Sequence, residues 1–79
     1  MIRYNTTTEQ YIQSDKQDTF LNEIIEVCKK HGMSISHQNN QGAFLITKFN
    51  HKDKEWLLKA RDSMGPPPEH VTVIDKPVS

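Results

Sequence analysis

The chain has 79 residues, 34% of them hydrophobic, with a mean hydropathy of −0.74, so it allows one small domain with a modest core. Its net charge of +0 argues against a uniformly basic or acidic surface, and its single cysteine, Cys28, excludes an internal disulfide framework. No basic N-terminal stretch leads into an apolar run and no run is long enough to span a membrane, which together point to the reducing cytoplasm.

Residues 1–14 are polar and rich in Thr and Gln, with Ile2, Tyr4, Tyr11 and Ile12 as their large apolar side chains. They read as an N-terminal arm, either flexible or docked as a short strand on the hairpin further along. A helix is predicted from about Lys16 to His31. Phe20, Leu21, Ile24, Ile25 and Cys28 recur at three- and four-residue intervals and give it one apolar stripe. Ser14 with Gln17 has capping-box spacing, acids open the helix and bases close it, and Gly32 supplies its left-handed stop.

Met33 to Phe49 then reads as a β-hairpin around the turn cluster Gln38, Asn39, Asn40, Gln41 and Gly42. On the first strand Met33, Ile35 and His37 alternate with Ser34 and Ser36. The second strand carries Phe44, Leu45 and Ile46 in succession, so both of its faces need cover. A two-stranded hairpin is marginal alone, and helices on one face leave the other to an unidentified partner. A second helix is predicted after Asn50, a good N-cap, to about Met64, with Trp56, Leu57, Ala60 and Met64 as its apolar stripe and a Glu55–Lys59 pair. Gly65 and Pro66-Pro67-Pro68 stop it, and residues 65–79 form a proline-rich tail in which Val71 to Ile74 could add to a sheet edge. The predicted architecture is therefore α+β, an αββα core over residues 15–64 between flexible or edge-strand termini. A homodimer joining two hairpins into a four-stranded sheet is the expected assembly.

The chemistry-bearing residues are sparse. Cys28, His31, His37, His51 and His70 lack the paired spacing of a zinc site, and Cys28 falls on an apolar stripe. There is no phosphate loop, paired-acid signature or dinucleotide fingerprint, so the expectation is a protein that is not an enzyme and needs no cofactor. Charge is uneven along the chain. Residues 29–61 hold seven bases (Lys29, Lys30, Lys48, Lys52, Lys54, Lys59, Arg61) against two acids (Asp53, Glu55). Lys48, Lys52, Lys54, Lys59 and Arg61 with Trp56 could form a phosphate-binding face. The competing reading is a solvated helix face with Trp56 in the core.

Residues 23–60 resemble a group of small uncharacterised accessory proteins of phages and prophages of Gram-positive bacteria. The resemblance rests on Cys28, Lys29, Lys30, Gly32, Ser34, Ile35, Ser36, His37, Gly42, Ala43, Phe44, Trp56 and Leu57. His31 stands where the group has an aromatic, and Gln38, Asn39 and Gln41 stand where it more often has acids and a second histidine. These departures put a metal or acid-dependent partner at that loop in doubt for this chain and leave His37 as the retained candidate. The resemblance implies a non-enzymatic cytoplasmic protein that binds, and inhibits, a host protein such as a defence or replication factor. Partner contacts are expected from His37, Gln38, Gln41, Phe44, Lys48 and Lys52. The alternative is a nucleic-acid-binding accessory protein using the Lys-rich centre, and a metal-dependent enzyme is a distant third.

Overall fold

In the computed structural model, which describes residues 1–37 and 42–74, the elements run β1 (Ile2–Asn5), β2 (Gln10–Gln13), α1 (Asp15–His31), β3 (Met33–His37), β4 (Phe44–Lys48), α2 (His51–Leu58) and β5 (Val73–Ile74). The class is α+β, and the central helix, hairpin, helix order matches the sequence pattern. Two antiparallel sheets form, one ordered β1-β2-β5 and one of β3 with β4. The chain divides into two compact units: residues 1–18 together with residue 60 onward, and residues 19–59.

In the first unit, the polar N-terminal stretch makes a hairpin of its own and does not join the β3–β4 sheet. Asn5 explains why. Its fully buried side chain accepts from the amides of Thr7 and Thr8 at 2.9 and 3.0 Å, folding the Thr-rich segment back into a turn that ends at Glu9 with a φ of 56°. Tyr4 lies opposite Tyr11, and their rings meet edge to face at 5.3 Å. Val73 and Ile74 add to β2 as the edge strand that the sequence suggested. Polar side chains are buried here beside Ile12: Arg3, opposite it, reaches Asp18 at 2.6 Å and also donates to the carbonyl of Ala60.

The same unit accounts for two departures from expectation. Ser14 does not cap α1 through its hydroxyl. Its Oγ donates to the Met1 carbonyl and lies 3.2 Å from the Asp18 carboxylate, while Gln17 donates to Asp62 at 2.8 Å instead of closing a capping box. The second helix also stops short of Met64. Asp62 lies beside β1, where its amide donates to the Tyr4 carbonyl at 2.9 Å and its carbonyl accepts from Thr6 at 2.8 Å. Those bonds replace helical ones, and Met64 is left exposed.

In the second unit, α1 buries Leu21, Ile25 and Cys28, with Ile24 half-buried. Phe20 is corrected out of that stripe, being 62% exposed. Gly32, at φ 68°, ends the helix in the left-handed region and starts β3 directly. Asn50 caps α2 as expected, accepting from the Asp53 amide at 2.8 Å, and α2 lies against β3. Among the described residues the buried apolar side chains are Leu21, Ile25 and Cys28 in this unit and Ile12 in the first, so little apolar surface is buried in either.

Candidate protein-binding face

Register sorts the β3–β4 hairpin into two unlike faces. Met33 pairs with Lys48, Ile35 with Ile46 and His37 with Phe44, and these residues share one parity. Ser34 with Thr47 and Ser36 with Leu45 have the other. The ordinary expectation is that the apolar set lies under cover and the polar set in water. Here the hairpin is the other way round.

The polar set is held by the start of α2. Ser34 is buried, and its Oγ accepts from the Asn50 amide at 3.0 Å. Thr47 donates its hydroxyl to the buried Asp53 carboxylate at 2.6 Å, and the Asn50 side-chain amide donates to the same oxygen at 2.7 Å. The Thr47 hydroxyl, then the Asn50 amide, hold the Asp53 carboxyl below the usual aspartate range, with a smaller contribution from Ser36. Every polar group in this network is matched, so burying it is tolerable. A polar strand face can therefore lie under cover at Ser34 and Thr47, while Leu45 of the same set is 44% exposed.

The apolar set is left open. Phe44 is 67% exposed, Ile46 59% and Met33 52%, with Ile35 half-buried between them. Lys48 is the charged member of this face and stands at the end of β4. A flat, apolar strand face rimmed by a cation can bury a partner's apolar side chains and pair with a carboxylate at its edge.

The expected partner-binding residues fall in four places. Phe44 and Lys48 lie on the open face. His37 ends β3, and its ring stacks on Trp56 of α2 at 4.8 Å. Lys52 is exposed on the first turn of α2. Gln38 and Gln41 fall outside the described residues. Met33, Ile35 and Ile46 were not singled out from sequence; alternation set Met33 with Ile35 and Ile46 with Phe44, and the register joins the two sets. Trp56 is not a core residue: it is 40% exposed.

Other groupings offer less chemistry. Among the described residues, no three His, Cys, Asp or Glu side chains gather in a way that could hold a metal ion. The first unit contains an open cleft of about 300 Å³ beside Gln17, Asp62, His70 and Val71. The buried Asp62 carboxylate there accepts from Gln17 at 2.8 Å and from the Met64 amide at 2.9 Å, so it acts as a structural acceptor. No described helix is long and apolar enough to cross a membrane. No protein-family model matches the chain, and no curated protein or solved structure matches it either.

Proposed function

We propose that this chain is a non-enzymatic binding protein that docks a host protein on the open face of its β3–β4 hairpin, as a phage or prophage accessory protein acting in the host cytoplasm. The observation that supports this reading is the exposure of Met33, Phe44 and Ile46 on one strand face in a protein with so small a described core. Exposed apolar patches of this kind usually mark interaction sites. The resemblance to small phage and prophage proteins supplies the class of partner, a host defence or replication factor whose activity docking would block.

Fully burying Phe44 and Ile46 would contribute about 1.5–3 kcal/mol each, which makes them the expected anchors of the contact. The test is affinity capture from a Gram-positive host lysate with the whole chain and with Phe44→Ser/Ile46→Ser, circular dichroism confirming that both are folded. The native chain should retain a defined protein in near-stoichiometric amount, and the double variant should lose it. Equal retention would move the site elsewhere. Capture of nothing would defeat the reading.

A second reading has one observation in its favour. Trp56 is exposed, stacks on His37, and shares its unit with the exposed Lys48, Lys52 and Lys59. Cations beside an available aromatic can hold single-stranded nucleic acid. Titration with DNA and RNA at low and moderate salt decides it, because phosphate binding must weaken steeply as salt rises.

A further inference from the structure

The outer edge of β4 is a separate feature from the open face, and its backbone geometry is informative. The Phe49 amide donates to the Gly32 carbonyl at 3.0 Å, which sets the phase of the β3–β4 ladder. Leu45, Thr47 and Phe49 therefore turn their backbone groups towards β3. The amides and carbonyls of Phe44, Ile46 and Lys48 point the other way, and β4 has no further strand beside it among the described residues. The Lys48 carbonyl accepts from the Asn50 side chain at 2.9 Å and keeps its second lone pair.

Edges of natural sheets are normally protected by central charges, proline or bulges. Phe44-Leu45-Ile46-Thr47 has none of these, and the strand's one charge stands at its end. We infer that β4 pairs antiparallel with β4 of a second copy of this chain, about a two-fold axis at Ile46, making one four-stranded sheet. The outward set is symmetric about Ile46, so Ile46 meets Ile46 of the second copy and Phe44 meets Lys48 of the second copy. About six backbone hydrogen bonds can form in that register. Each lysine stem lies along a phenyl ring, which suits both side chains. The two lysines stand about 14 Å apart, beyond the screening length of about 8 Å at physiological salt. A shift of register by two residues would forfeit this match.

The inference does not rest on the host-binding reading, because edge pairing leaves the open faces uncovered and sets them side by side. An edge contact covers less than the roughly 800 Å² per partner of a standard interface, so association is expected in the micromolar range. Sedimentation equilibrium from about 10 to about 300 µM should show the native chain passing from monomer to dimer. Ile46→Pro removes an outward amide and no β3–β4 ladder bond, so it should stay monomeric with an unchanged circular dichroism spectrum. In a Cys28→Ser background, Ile46→Cys places two thiols on the axis at a Cα separation of about 5.5 Å, within disulfide reach. It should cross-link at least tenfold faster than Met33→Cys on the far strand. That comparison stands even if the proline variant misfolds. A native chain that is monomeric at about 300 µM, or equal cross-linking at positions 33 and 46, would overturn the inference.

Discussion

Asn50 carries more of the second unit than its place in a loop suggests. Its side chain caps α2 through the Asp53 amide, donates to the Asp53 carboxylate and donates to the Lys48 carbonyl, while its own amide reaches Ser34. Asn50→Ala should cost about 1–2 kcal/mol, the upper end of an N-cap loss, and lower the urea midpoint accordingly. Two aspartates are expected to make the fold sensitive to acid. Burial pushes the Asp18 carboxyl up, but the Met1 ammonium and the Arg3 guanidinium outweigh burial and hold it below the ordinary value of 3.8. Asp53 is held below the same value by Thr47 and Asn50. A folded-state value below the unfolded one stabilises the fold above the unfolded value, and the contribution is lost as pH falls through the folded one. Urea midpoints should therefore be level from pH 7 to about 5 and fall below about pH 4, with a shallower fall in Asp18→Asn and Asp53→Asn. A midpoint that rises on acidification would contradict both assignments.

At the scale of elements, β5 supports the first unit by pairing with β2. Gln13 donates to the Thr72 carbonyl at 2.9 Å, and Tyr11 pairs with Ile74. Two strands without a third are marginal, so a chain ending at Gly65 should lose amide-exchange protection at Tyr11 and Gln13. Leu45 and Thr47 lie in the other unit, and their protection should be unchanged. Loss at all four amides would show that the two units do not open separately. The elements also mark what could be read from the sequence and what could not. The stop at Gly32 and the cap at Asn50 were legible because each depends on residues within a few positions, and β5 was legible as a strand from its run of β-branched residues, though its pairing with β2 was not. The β1–β2 hairpin was not, because Asn5 and a Thr-rich turn carry no apolar alternation. The end of α2 was hidden for a different reason: Asp62 leaves the helix to bond with Tyr4 and Thr6, nearly sixty residues away.

Across the whole molecule, polar strand side chains are buried in both units, and in the first they share their face with Ile12, buried opposite Arg3. Arg3 and Asn5 are buried on β1, and Ser34 is buried on β3 with Asp53 beside it. Alternation told which residues share a face, but not which face is covered, since a matched hydrogen-bond network can lie under cover as well as an apolar one. For that reason the sequence singled out Phe44 and Lys48 but passed over Met33, Ile35 and Ile46, which lie on the same face. The result is a sheet face with Met33, Phe44 and Ile46 exposed, the face proposed to dock a partner. The most direct test is the dissociation constant of the captured host protein for the native chain and for Phe44→Ser/Ile46→Ser, by calorimetry with purified components. Losing both anchors removes about 3–6 kcal/mol of burial, so the account predicts at least a hundredfold weakening. A change of less than about threefold, under 1 kcal/mol, would show that the partner does not use this face.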